Sequence, residues 1–270
     1  VIVPEIKHDF FSSAISGIEE VAYRAGYTII VCQSNESYER EVINTNALIA
    51  HRVAGVIVSI SQSTPNGDHF KELIKSGIPL VFFDRICPDI NASKIIIDDK
   101  KSAFIAVEHL IKRGYKRIAH FAGPKDLAIC INRMAGYREA LEANGLKTDN
   151  KLICYGGLHE QDGYNSMDLL LKSKIKIDAV FAINDPVAIG AFQRIKEAGL
   201  RIPRDIGIVG FSNNNITTLV DPPLTTVNQP SLEMGRRAAE ILISIIDNKN
   251  KDLKPVTEIL DADLIIRRST

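Results

Sequence analysis

Asp178–Pro230, DAVFAINDPVAIGAFQRIKEAGLRIPRDIGIVGFSNNNITTLVDPPLTTVNQP, is the stretch that decides the fold. Ala179-Val180-Phe181-Ala182 reads as a buried strand that stops at Asn184-Asp185, two residues suited to cap the next helix. That helix ends at Gly199, and a second apolar strand, Ile206 to Gly210, stops at Ser212-Asn213-Asn214-Asn215. Two neighbouring strands of a parallel sheet thus deliver polar side chains at their carboxyl ends. In open α/β sheets small molecules bind there. Pro222-Pro223, Thr225-Thr226 and Asn228-Gln229-Pro230 then form a stiff stretch, read as a crossing between lobes. The pattern points to binding and says little about catalysis.

Working outward, the same alternation fills the chain. Strands at Val1–Val3, Thr28–Cys32, Gly55–Ile60, Ile78–Phe83 and Ile95–Ile97 are interleaved with helices over Phe10–Ala25, Tyr38–Ala50, Asp68–Lys75 and Lys100–Arg113. The pattern restarts with strand Ile118–Ala122, helix Asn132–Ala143, strand Leu152–Tyr155 and helix Gly163–Leu171. After Pro230 come a helix over Leu232–Ile246 and strands near Val256–Leu260 and Leu264–Arg267. Alternating strands and helices of this length predict parallel βαβ units. The fold class expected is α/β: two Rossmann-like lobes with parallel sheets. A break near Gly114–Lys116 places one lobe at residues 1–116 plus 229–250 and the other at 117–228 plus 251–270. Two lobes without a floppy linker predict a ligand-clamping cleft.

Composition narrows the function. The 270 residues exceed the usual size of one core, so two lobes are expected. Lys plus Arg and Asp plus Glu both number 33, and the zero net charge argues against nucleic-acid binding by bulk electrostatics. Cys32, Cys87, Cys130 and Cys154 are too scattered for a metal or redox motif, which favours reduced cysteines in a cytoplasmic protein. No apolar run approaches the roughly 18 residues that span a bilayer, so no membrane partner is expected. Val1-Ile2-Val3 reads as strand interior without an initiator Met, an expectation that the natural chain continues upstream.

No Walker loop, GxGxxG, HExxH or GxSxG is present, and the six histidines lack metal-ligand spacing. No catalytic residue, metal or cofactor is expected. His8 and His159 follow strands, where a ligand contact is conceivable. Asp84 sits at the carboxyl end of IPLVFF, where a cap or a local ion pair is the plainer reading. Asp98-Asp99 precedes a helix and reads as a cap. Arg133 lies near a helix start, where a cation gains nothing from the dipole, so an anionic or polyhydroxyl partner is a reasonable explanation. Phe10-Phe11 can be core or the wall of a cleft.

Together these residues resemble the effector-binding core of the lactose-repressor/galactose-repressor family of bacterial transcription regulators. The resemblance is carried by VIVPEIKHDFF, GIEEVAYRAGY, RVAGVIVS, IPLVFFDR, HLIKRGYKRIAHFAGP, NRMAGYREALEANGL, DAVFAINDPVAIGA, GLRIPRDIGIVGF, DPPLTTVNQP and LIIRRS, in order over nearly the whole chain. It implies a periplasmic-binding-protein-like fold whose lobes are joined by three crossovers. It also implies a homodimer, an upstream helix-turn-helix domain that binds operator DNA, and a small-molecule effector between the lobes.

Residue by residue, the resemblance sets Arg133 at the effector-binding arginine and Asp84 where sugar hydroxyls are bonded. Asn184 and Gln229 match polar positions of the cleft, Phe10 and Phe11 its aromatic wall, and Leu158 a position often aromatic. Ser212 departs from the family, whose members often carry Asp there, so the carboxylate acceptor is lost unless Asn213 stands in. Leu127 and Ile129 are apolar where purine-responsive members are polar, which argues against a nucleobase effector, while the loss of a carboxylate at Ser212 makes the cleft less acidic than a standard monosaccharide site. The resemblance as a whole implies a sugar or sugar derivative. A periplasmic solute-binding protein of a sugar transporter shares the fold and is the alternative.

Overall fold

The computed structural model describes residues 1–173, 175–247 and 254–270. Along the chain its elements are β1 (Ile2–Val3), α1 (Asp9–Arg24), β2 (Cys32–Gln33), α2 (Tyr38–Ala50), β3 (Val56–Val58), α3 (Asp68–Lys75), β4 (Leu80–Phe83) and β5 (Ser93–Ile97). There follow α4 (Asp99–Lys112), β6 (Ile118–Gly123), α5 (Ala128–Ala143), β7 (Ile153–Tyr155), α6 (Glu160–Lys172), β8 (Ala179–Ala182) and α7 (Asp185–Glu197). The chain ends with β9 (Gly207–Phe211), α8 (Ile216–Leu219), β10 (Thr225–Asn228), α9 (Ser231–Asp247), β11 (Thr257–Leu260) and β12 (Asp263–Ile265).

Two compact units result, Val1–Ile97 with Pro230–Asp261 and Asp98–Gln229 with Ala262–Thr270, and the chain passes between them three times. The first unit holds a six-stranded sheet in the order β11-β5-β4-β3-β1-β2, parallel throughout. The second repeats the plan as β12-β10-β9-β8-β6-β7, parallel except for the β10–β12 pair. Strands such as LVFF of β4 and AVFA of β8 are buried at every position, as sheets covered on both faces require. Each fully buried Phe or Ile of this kind contributes roughly 1.5–3 kcal/mol.

Local chemistry sets the helix ends. Ser37 accepts from the Arg40 N–H, Asp98 from the Lys101 N–H and Asn184 from the Val187 N–H, so each caps the helix it precedes. At the other ends Gly26, Gly77, Gly114, Gly145 and Gly199 carry φ between 70° and 99°, the left-handed turn that ends a helix at little cost to glycine.

Four expectations need correction. The unit boundary falls at Ile97/Asp98, not 116/117, because α4 packs on α5 of the second unit. The expected return at 250/251 lies outside the described residues, and β11 extends the first unit's sheet beside β5. Thr225–Asn228 is a strand and not merely a stiff crossing, with Thr225 and Thr226 wholly buried because their hydroxyls bond Thr270 and Asp185. A buried strand with polar side chains escapes an apolarity-based reading. Finally, α5 starts at Ala128 rather than Asn132, which puts Arg133 in its second turn.

Candidate functional site

In the second unit the order β7-β6-β8-β9-β10 reverses direction at β6/β8, the switch point outside which ligands of open α/β sheets bind. Arg133 reaches this place from α5. Its Nε donates to Asp99 Oδ1 at 2.7 Å and its Nη1 to the Ile183 carbonyl at 2.6 Å. Its guanidinium carbon stands 3.6 Å from the centroid of the Phe211 ring. The side chain is 2% exposed, so this charge is desolvated and needs its partners. Nη2 makes no hydrogen bond among the described residues.

Asn184 stands at the end of β8 with its amide engaged at both ends. Oδ1 accepts from the Val187 N–H at 2.9 Å, and Nδ2 donates to the Leu158 carbonyl at 2.8 Å. Leu158 itself is buried. After β9 and β10, Ser212 Oγ donates to Gln229 Oε1 at 2.8 Å. Asn213 turns elsewhere: Oδ1 accepts from Arg267 Nη2 at 2.7 Å and Nδ2 donates to Asn228 Oδ1 at 3.0 Å. The expectation that Asn213 stands in for a carboxylate meets an amide already held by its own unit.

In the first unit, Phe10 and Phe11 are buried and meet edge to face at 5.1 Å, and Phe11 packs on Phe83. Asp84 follows Phe83 with φ 58°, a left-handed conformation that fixes the side chain's exit from β4. Arg85 donates through Nη1 to both carboxylate oxygens of Glu36, at 2.8 and 3.0 Å, and lies over the Phe11 ring at 5.5 Å. Its Nε is 3.8 Å from Asp84 Oδ2, so the local ion pair foreseen for Asp84 is present. His8 bonds Glu5, and His159 donates its backbone N–H to Asp162.

Several organising residues escape sequence reading. Asp98 caps α4, as expected, but Asp99 beside it is the counterion of Arg133. Asp185 is wholly buried rather than a surface cap, and burial raises its pKa to about 6 against the pull of its hydrogen bonds. In the first unit Glu41 is wholly buried and accepts from the Ser61 N–H and hydroxyl, the Thr64 hydroxyl and His69 Nε2. No spacing in the sequence signals these, because their partners come from distant elements.

Comparison with known proteins separates this chain from others with doubly wound sheets. Residues 107–270 match the periplasmic binding protein-like domain family. The transcriptional repressor PurR of Vibrio atlanticus (strain LGP32) is 34% identical over the whole chain, which spans 80% of that protein. The chain belongs to the LacI family of transcriptional regulators. Among solved LacI-family structures, the regulator from Enterococcus faecium with bound ribose superposes with TM-score 0.86 at 28% identity, covering 100% of this chain and 97% of that one. The transcriptional regulator CelR in complex with cellobiose gives TM-score 0.90 at 28% identity, covering 100% and 83%. As in other LacI-family members, two parallel-dominated α/β units make up this part of the protein.

Proposed function

We propose that this chain is the effector-sensing core of a transcriptional repressor. In this reading the effector is a neutral polyhydroxyl molecule, a sugar or sugar derivative. The observation that carries it is Arg133: Asp99 and the Ile183 carbonyl hold two guanidinium nitrogens, the Phe211 ring covers one face, and Nη2 is left to donate. The Asp99 carboxylate already balances its charge, so the arginine serves as a directional donor to hydroxyls more than as an anion trap. Asn184, Ser212 and Gln229 supply further polar atoms at neighbouring strand ends, and Leu158 supplies apolar surface. In the first unit Asp84, Phe10 and Phe11 are assigned the same task. Asn213 stays a candidate beside them, its amide bonded to Arg267 and Asn228 as that of Asn184 is bonded to Val187 and Leu158.

Two solved relatives hold ribose and cellobiose, which supports a sugar. The PurR relative supports a repressor, and so does not favour the transporter alternative. Leu127 and Ile129, both buried and apolar, offer nothing to a nucleobase edge. Binding without turnover fits a site whose arginine and buried aspartate are bonded to protein groups. The proposal extends to a homodimer that carries an operator-binding domain upstream of Val1, working in the cytoplasm. No helix among the described residues is long and apolar enough to cross a membrane.

A thermal-shift screen with ribose, cellobiose, hexoses, sugar phosphates, uronic acids and purines tests the reading. A neutral sugar at a hundredfold its Kd should stabilise the fold by about 2.7 kcal/mol. Stabilisation by a purine and by no sugar would replace the ligand class.

A further inference from the structure

Three donors converge on the carboxylate of Asp185, the first residue of α7. Oδ1 accepts from the Thr226 hydroxyl at 2.6 Å and Oδ2 from the Asn214 N–H at 2.8 Å, and the Phe211 N–H is the third donor. Gly210 makes the room, since a Cβ there would lie 2.2 Å from Asp185 Oδ1. The donors bracket Ser212 and Asn213, whose φ values of 119° and 58° are left-handed. Residues with side chains stay in that region only when their surroundings hold them there. Thr226 Oγ1 also accepts from the Asn213 N–H at 3.2 Å, so the carboxylate holds this loop directly and through the threonine.

Among the described residues, Arg267, after β12, is the charged side chain acting on Asp185; β9, β10 and the loop between them bring neutral donors. Burial pushes the carboxyl up to about 6, while its hydrogen bonds and Arg267 pull it down. An apolar residue would fill the same space without that desolvation.

We infer that Asp185 is a positioning residue of the effector site: its carboxylate fixes the Ser212–Asn213 backbone so that the bonded Ser212–Gln229 pair is preformed for ligand hydroxyls. The consequence for ligand rests on the sugar-effector reading above; the grip on the loop does not.

The test is amide hydrogen exchange, corrected for intrinsic rates, on the wild-type chain, Asp185→Asn and Thr226→Val between pH 5 and 8. Calorimetry with ribose and cellobiose accompanies it. In the wild type, Asn214 protection should fall at least tenfold from pH 7.5 to 5, as the carboxylate takes up a proton. In Asp185→Asn it should be low and independent of pH, while the amides of Phe121 and Phe181 stay protected. Thr226→Val should lose protection at Asn213 even if Asp185→Asn does not fold. Whichever of the two sugars binds the wild type should bind Asp185→Asn at least tenfold more weakly. Wild-type protection that ignores pH, or sugar binding unchanged by a slack loop, overturns the inference. If neither sugar binds the wild type, the sugar reading loses support, and the exchange profile still decides whether Asp185 holds the loop.

Discussion

Arg133 lies on Phe211 with its guanidinium carbon 3.6 Å from the ring centroid. A desolvated contact of this kind contributes on the order of 2 kcal/mol, and it orients the fork as well as stabilising it. The same guanidinium neutralises Asp99 and satisfies the Ile183 carbonyl. The proposed ligand donor is thus also a scaffold group, and a change to Arg133 tests both.

Arg133→Lys keeps the charge but loses the planar fork. The Ile183 carbonyl loses its donor and the stacking is weakened. We expect about 2 kcal/mol lower stability by urea unfolding, and sugar affinity at least tenfold weaker by calorimetry. Arg138→Lys, an exposed position on the same helix, should change neither.

His120 predicts an acid sensitivity. It is wholly buried, stacked on Tyr137 and Phe181, and bonded through Nδ1 to the Phe181 carbonyl, while Nε2 has no partner among the described residues. Burial, opposed by that carbonyl and reinforced by Arg133 and Arg138, lowers its pKa from 6.5 to about 4. The folded state therefore resists the proton that the unfolded chain accepts. The His120 contribution is full above pH 6.5 and falls by about 3 kcal/mol as pH drops to 4. Asp185 acts in the opposite sense: with its pKa raised from 3.8 to about 6, its contribution is full below 3.8 and is lost as pH rises through 6. Because Asp185 offsets much of the His120 loss, the quantity to read is the difference from wild type. In urea unfolding, His120→Phe should raise stability at pH 5 relative to pH 7.5, by removing this acid sensitivity. An unchanged slope would show that another group carries it.

Gly190 and Gly163 let α6 and α7 touch backbone to backbone. A Cβ on Gly190 would lie 1.7 Å from the Glu160 carbonyl oxygen, and one on Gly163 1.9 Å from that of Val187. Gly190→Ala should cost about 3 kcal/mol or more in chemical unfolding. Gly156→Ala, whose Cβ would meet nothing nearer than 3.6 Å, should stay within about 1 kcal/mol.

The alternation of strands and helices was legible because apolar runs end at caps and left-handed glycines, both local signals. Asn184 and Asp98 were readable as caps for the same reason. Arg133 stood out in the sequence as a cation that the helix dipole does not explain, but its partners did not, since they come from 34 and 50 positions away. Asp185 looked like a cap because an acid at a helix start needs no other explanation; the donors that bury it lie 29 and 41 positions downstream. The partners of Asn213 were illegible for a similar reason, since Arg267, which bonds its amide, lies 54 residues on. The unit boundary was misplaced because α4 is amphipathic whichever unit it joins.

The central claim, that a sugar is bound through Arg133 in the second unit, is tested most directly by side-chain NMR during titration with whichever sugar raises the melting temperature. We expect the Arg133 Nε–H signal and the Asn184 and Gln229 amide signals to move in one saturable transition, with the Kd found by calorimetry. Saturable binding that leaves all three signals in place would contradict the account.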